Sequence, residues 1–243
     1  MTHRTLLRLS GGDAQSFLQG LVTNDVTKAD GGLAYAALLT PQGKFIADFF
    51  VLAHNNSLLI DVASEISTTL AQRLTMYRLR ADVQIEESPF VVSRGTGPAP
   101  AGSYPDPRHP ALGWRLISET QVSDNTDWDA IRVAHVIPET GIELTPDTYI
   151  LEAGFERLNG IDFRKGCYVG QEIAARMKHK TDLKKGLAQV KIDGTAPIGT
   201  AITANGKTVG TLFTQSNELA IAHLRFDRAN GQMEAGDATL MRT

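Results

Sequence analysis

Cysteine is nearly absent: the 243 residues contain one thiol, Cys167. A single cysteine excludes an internal disulfide, and alone it cannot supply the four thiolates that usually hold an iron–sulfur cluster. Long hydrophobic runs are also missing. No stretch approaches the roughly 20 apolar residues that a bilayer-spanning helix needs, so no membrane partner is expected. Nor does one sign of charge dominate, since 24 basic residues meet 27 acidic ones for a net charge of -3. A general nucleic-acid binder carries a basic excess, so no nucleic-acid partner is expected either. The N-terminal Met1-Thr2-His3-Arg4 runs straight into strand-like sequence, without a signal peptide's apolar stretch or a transit peptide's Arg/Ser-rich extension. With the sparse cysteine this predicts a cytoplasmic, reducing environment. The sequence has no P-loop, no GxGxxG fingerprint after a strand, no HExxH, no CxxC and no GxSxG. Its six histidines are scattered, which offers no zinc-ligand spacing, and no metal site is expected.

What is present reads as an ordinary globular chain. Hydrophobic residues make up 42% and charged residues 21%, near the averages for soluble domains. The length allows one large domain or two to three small ones. Residues 5–9 read as a strand, and Asp13 as the cap of a helix bearing Phe17, Leu18 and Leu21 on one face. Strands at 33–40 and 45–53 flank the turn Pro41-Gln42-Gly43-Lys44, which predicts a hairpin. A further strand at 58–62 leads to a helix over 64–78, capped by Ser64, with Ile66, Leu70, Leu74 and Tyr77 at helical spacing. Strands at 83–87 and 90–94 follow. The Gly- and Pro-rich segment 95–110 is a loop or boundary, with a strand at 112–117 beyond it. A helix containing Trp128, Ile131 and Val133 starts near Asp124 or Asn125 and stops before Pro138. Another covers 170–180. Short strands then occupy 187–192, 201–204, 208–213 and 218–225, with Asn205-Gly206 as a hairpin turn. The organisation is α+β: an N-terminal α/β lobe over 1–95, a second α/β lobe over 96–184, and a C-terminal β-barrel or sandwich over 185–243.

The residues with chemistry cluster around Cys167. Arg164 and Lys165 precede it and a helix N-terminus follows; cations and helix N-termini both favour the thiolate. Gly166 and Gly170 flank it and allow backbone N–H groups to face a ligand, while a small buried hydrophobe is the plain alternative. Gln171 and Glu172 can accept paired N–H donors of a heterocycle, or simply cap a helix dipole. The run Arg176, Lys178, His179, Lys180, Lys184, Lys185 suits a polyanionic tail or a solvated helix end. Asn24 and Asp25 fit a helix-ending turn. Asp48 sits in an apolar strand and faces either solvent or a polar site. Tyr77 and Arg78 lie at a helix end.

The octapeptide Lys165-Gly166-Cys167-Tyr168-Val169-Gly170-Gln171-Glu172 resembles the signature of the YgfZ family, folate-binding relatives of the glycine-cleavage T-protein (GcvT) whose mitochondrial members assist iron–sulfur cluster assembly. The resemblance continues, in order, through Phe17-Leu18-Gln19-Gly20-Leu21-Val22-Thr23-Asn24-Asp25-Val26, Leu39-Thr40-Pro41-Gln42-Gly43-Lys44, Tyr77-Arg78-Leu79-Arg80 and Ala174-Ala175-Arg176. It implies a GcvT-like folate-binding fold: α/β lobes around a central channel, with a C-terminal β-barrel. It also implies tetrahydrofolate as ligand and a role in assembling or repairing iron–sulfur enzymes, with assembly or carrier proteins and client enzymes as partners. Cys167 becomes the functional thiol. The implied folate contacts are Asn24, Asp25, Asp48, Tyr77, Arg78, Lys165, Gly166, Tyr168, Gly170, Gln171 and Glu172. Two positions depart from the T-protein pattern: Ala47 precedes Asp48 where T-proteins carry two adjacent acids, and Ala134 stands where they have a pterin-contacting glutamate. Both departures argue against aminomethyl transfer, which needs the pterin held firmly and charge stabilised at the folate nitrogen. Two alternatives therefore stay beside the accessory role: a folate-dependent one-carbon transferase, and a scaffold sharing a cluster with a carrier protein.

Overall fold

In the computed structural model, residues 3–180 and 183–243 are described, apart from the side chain of Lys180. The expectations drawn from Met1, Thr2 and the Lys180 side chain lie outside that description. By compactness the chain divides into two units, Met1–Thr126 with Phe155–Ile173, and Asp127–Gly154 with Ala174–Thr243.

The first unit is built on five strands: β1 (Arg4–Ser10), β2 (Ala34–Leu39), β3 (Phe45–His54), β4 (Ser57–Ala63) and β5 (Gln84–Glu87), in the spatial order β2-β3-β4-β1-β5. All neighbouring pairs are antiparallel, and the expected β2–β3 hairpin is present. Successive side chains alternate between the two faces of a strand, and β2, β3 and β4 are buried on both, whereas β5 is largely exposed. On one face Leu7, Leu9, Ala36, Leu38, Ala47, Phe49, Val51, Ile60 and Val62 form an aliphatic core with two helices, α1 (Ala14–Gln19) and α2 (Ser64–Arg78). Leu70 and Leu74 of α2 are buried there, and Ile66, Ala71 and Tyr77 pack against it, as their helical spacing requires.

The opposite face carries Tyr35, Asp48, Phe50, Leu59 and Asp61. A second sheet contributes to its cover: β6 (Val91–Gly95), β7 (Tyr104–Pro105) and β8 (Trp114–Ser118), in the order β6-β8-β7. Val92, Phe90 and Ile117 pack on Leu6 and Leu59 of the main sheet.

Two expected caps are replaced. Ser64 is the first helical residue of α2, the N-cap being Ala63, and its hydroxyl lies 2.8 Å from that of Thr5. The Asp13 carboxylate makes no cap bond; it accepts from the Asp82 N–H at 2.8 Å, tying α1 to the loop before β5.

In the second unit, α3 (Trp128–His135) is capped by Asp127, whose carboxylate accepts from Ala130 N–H at 3.0 Å, and it starts a few residues beyond Asp124 and Asn125. Helix α4 (Gln171–Lys180) follows Gly170 directly; its residues from Ala174 onward belong to this unit. The C-terminal strands close into a barrel: β9 (Lys185–Asp193), β10 (Ala201–Ala204), β11 (Lys207–Ser216), β12 (Leu219–Arg225), β13 (Gln232–Ala235) and β14 (Ala238–Arg242), in the order β10-β11-β12-β9-β14-β13. The Asn205-Gly206 turn joins β10 to β11, both residues having positive φ. Against this barrel, Glu143 is buried and satisfied by Arg132 Nη2, Thr214 Oγ1 at 2.6 Å and Glu139 N–H at 2.9 Å.

Candidate functional site

The first six residues of the octapeptide, 165–170, lie within residues 162–170, a stretch without helix or strand. Such a segment holds one conformation only if side chains and neighbouring backbone fix it, because each ordered residue costs roughly 1–2 kcal/mol of conformational entropy. Three sets of contacts do so. At its start, Asp162 donates its N–H to Thr23 O at 3.0 Å and accepts from Lys28 Nζ at 2.8 Å. In the middle, Lys165 Nζ donates to Gln19 O, the last carbonyl of α1, at 2.6 Å and to Val22 O, three residues further on, at 2.5 Å. At its close, the Tyr168 ring is buried, with Lys165 Nζ 5.2 Å from its centroid. Gly170 there has φ +82°, and a Cβ on it would come within 2.6 Å of Thr40 O. Gly166 has no such requirement: its φ is not left-handed and a Cβ would meet nothing within 4 Å. Between the fixed points, Arg164, Gly166 and Cys167 are exposed. The result is an arch that presents the thiol to solvent.

Charges along the arch are perturbed in opposite directions. Desolvation lowers the Lys165 ammonium to about 8, with Asp25 and Asp162 opposing and Lys28 reinforcing that shift. Lys165 thus directs its charge inward to the carbonyls, while the Arg164 side chain stays 95% exposed. Hydrogen bonding from Lys28, then from the Arg164 N–H, holds the Asp162 carboxyl below its usual value. Burial pushes the Tyr168 phenol up to about 12. Its hydroxyl is fully buried and has no hydrogen-bond partner among the described residues. Burying an unpaired hydroxyl costs about 1–3 kcal/mol.

Asn24 and Asp25 hold the wall behind the arch. The Asn24 amide donates to Tyr35 O and Asn159 O, both at 2.7 Å, and its carbonyl oxygen accepts from Lys28 Nζ and Asp25 N–H. Asp25 caps a 3₁₀ turn through the Thr27 N–H and hydroxyl and accepts from Gln19 Nε2. The Thr27 bonds hold its carboxyl below the ordinary value. Beyond that wall lies the polar face of the main sheet. Asp48, only 4% exposed, accepts from the Tyr35 hydroxyl at 2.9 Å. Tyr35 stacks on Phe155, with ring centroids 5.1 Å apart. Desolvation first, and then Asp48, raise its phenol well above the ordinary value. Ala47 points to the aliphatic face instead. An acid at 47 would therefore sit among Phe49, Val51 and the helices, and its loss takes nothing from the polar face.

The other expected residues stand apart from this group. Tyr77 packs in the helix layer, on the opposite side of the sheet from Asp48, and Arg78 Nη1 donates to Val83 O at 3.2 Å. Gln171 opens α4, its N–H donating to Tyr168 O at 3.3 Å, and Glu172 is exposed in the first turn. Ala134 is exposed on α3.

A chain of buried charges beside Asp48 escaped the sequence reading. Asp61 accepts from Arg4 Nε at 2.6 Å and Arg115 Nη1 at 2.5 Å. Asp106 accepts from Arg115 Nε at 3.0 Å and from Arg108 through Nε at 3.0 Å and Nη2 at 2.8 Å. The Arg115 and Arg108 guanidinium carbons lie 3.7 and 4.9 Å from the Phe50 ring centroid, a stacking that planar Arg suits. Desolvation raises the Asp106 carboxyl, yet Arg108 and Arg115 outweigh it and hold the group far below the carboxylate range. The signal available was parity: Tyr35, Asp48, Phe50 and Asp61 fall on one side of the strand alternation.

Among the described residues no three His, Cys, Asp or Glu side chains are placed to hold a metal ion, and no helix is long and apolar enough to cross a membrane.

Comparison with known proteins places these features. Residues 184–243 match the family described as CAF17, C-terminal beta-barrel domain. The mouse and human proteins named "Iron-sulfur cluster assembly factor IBA57, mitochondrial" are 28% and 29% identical, each comparison covering 95% of this chain and 78% of the relative. Its relatives are iron–sulfur cluster assembly factors. A homologue from Neurospora crassa is 30% identical over 76% of this chain and 51% of its own. The glycine cleavage system aminomethyltransferase T of Bartonella henselae superposes over 100% of this chain and 83% of its own, with a TM-score of 0.77 and 13% identity. The fold is therefore GcvT-like with a C-terminal β-barrel.

Proposed function

We propose that this protein is a member of the YgfZ family and a tetrahydrofolate-binding accessory factor in the assembly or repair of iron–sulfur cluster enzymes, with Cys167 as its working thiol. The observation that carries the reading is the similarity to named assembly factors along 95% of the chain. The pinned arch and exposed Cys167 agree with it. One thiolate holds one coordination position, so a cluster intermediate met by Cys167 draws its other ligands from a carrier or client protein. Those proteins are the proposed partners. The relatives are named as mitochondrial; for this chain the proposed compartment is the cytoplasm, a reducing environment that suits its single thiol.

Folate binding is supported by two groups of the first unit. A reduced pterin offers paired N–H donors, which a carboxylate such as Asp48 accepts, and the Tyr168 hydroxyl lacks a partner that a ligand can supply. Asn24 and Asp25 serve the wall instead of the ligand. Bound tetrahydrofolate supplies amine nitrogens able to carry one-carbon units. The polar face retains Asp48, and the transferase fold keeps one-carbon transfer as the second reading.

A thermal-shift titration tests the ligand. Tetrahydrofolate at 100 times its dissociation constant stabilises the folded state by about 2.7 kcal/mol, and no shift at saturating folate removes it from the proposal. Aminomethyl transfer to a lipoylated carrier favours the enzyme reading.

A further inference from the structure

We propose that Lys165 is the positioning residue for the Cys167 thiol: by bonding the carbonyls of Gln19, the last residue of α1, and of Val22, it sets the course of the arch from which the thiol is presented. The inference rests on the reading of Cys167 as the working group.

The chain gives the segment no ladder of its own, so tethers decide its shape. Asp162 fixes the entry and Tyr168 with Gly170 the exit. Lys165 is the tether just before Cys167, two residues away. The two residues beside it on the arch contribute little: the Arg164 side chain is 95% exposed, and Gly166 faces open space. Gln19 O ends α1 and is an acceptor without an intrahelical donor, and a cation suits it. Here one ammonium bridges Gln19 O and Val22 O, residues 146 and 143 positions distant. An apolar side chain would fill the same half-buried space without desolvating a charge. What the charge adds is direction, because two short bonds to fixed acceptors select one course for the backbone. Four groups face the ammonium: Asp25 and Asp162 favour its charge, Lys28 opposes it, and the Tyr168 ring lies beside it. Desolvation outweighs the two acids and lowers the ammonium to about 8, within reach of experiment.

The test combines amide hydrogen exchange over 163–168 with client activity in cells. K165M is expected to speed exchange there at least tenfold, with exchange in the main sheet unchanged. K165R, which can still donate to both carbonyls, is expected to restore protection. In the wild type, exchange over 163–168 should rise by more than the base-catalysed increase as pH passes 8, and K165R should lack that extra rise. Exchange in K165M within twofold of wild type overturns the proposal. If K165M fails to fold, wild type and K165R decide: identical pH profiles overturn it. In cells, full iron–sulfur enzyme activity with K165M where C167A is inactive overturns the positioning role and leaves the thiol reading intact. Full activity with C167A removes that reading, and the exchange data then decide on Lys165 alone.

Discussion

Removing Asp106 should unfold the first unit well before any surface substitution does. Asp106 is 6% exposed and accepts four hydrogen bonds, three from Arg108 and one from Arg115. Arg115, 2% exposed, keeps its bond to Asp61 when Asp106 is lost, whereas Arg108 loses both side-chain bonds to its carboxylate partner. A buried pair broken on one side costs about 3–5 kcal/mol, and we expect about 4 kcal/mol for Asp106→Ala. Against a total stability of about 5–15 kcal/mol, that is a large fraction. At this chain length roughly 0.5 kcal/mol corresponds to one degree, so Tm should fall by about 8 °C if the chain unfolds in one transition. Calorimetry at neutral pH measures it. The pH dependence has a definite sign. The folded carboxyl titrates below its unfolded value, so its contribution is complete above about pH 4 and is lost as pH falls further. The gap between wild type and Asp106→Ala should narrow below pH 4. A drop under about 2 °C at neutral pH, or a gap that widens in acid, refutes the claim that these charges are mutually compensated.

The arch makes its own predictions. Gly170→Ala places a Cβ against Thr40 O at a left-handed φ, and should destabilise by at least about 1–2 kcal/mol in urea unfolding, whereas Gly166→Ala should stay within about 0.5 kcal/mol. Tyr168→Phe removes a buried hydroxyl without a partner; the free protein should gain about 1 kcal/mol, while the stabilisation by tetrahydrofolate should shrink.

The strands and the β2–β3 hairpin were legible because turn residues and apolar runs coincide there. The orientation of Asp48 was not. With both faces of β3 buried, hydrophobic periodicity disappears, and only the bond from the Tyr35 hydroxyl shows which face Asp48 takes. Strands β13 and β14 escaped notice because they are short and mix polar with small residues. Ser64 and Asp13 are ordinary cap residues by type, yet long-range bonds to Thr5 and Asp82 claimed their side chains. The salt-bridge chain joins residues 54 and 57 positions apart, and the Lys165 tether spans more than 140. No local pattern records such contacts. The octapeptide itself was visible, but its geometry was not: sequence suggested two cations beside the thiol, and the fold turns one of them inward to α1.

The central claim is that Cys167 works in iron–sulfur enzyme maturation. Cells lacking this protein, supplied with either the wild-type chain or Cys167→Ala at equal abundance, allow the activity of their iron–sulfur enzymes to be measured directly. Cys167 is exposed, so the substitution should leave Tm within about 1 °C. The account predicts that the wild type restores activity and Cys167→Ala does not. Equal restoration by a stable Cys167→Ala protein would contradict it.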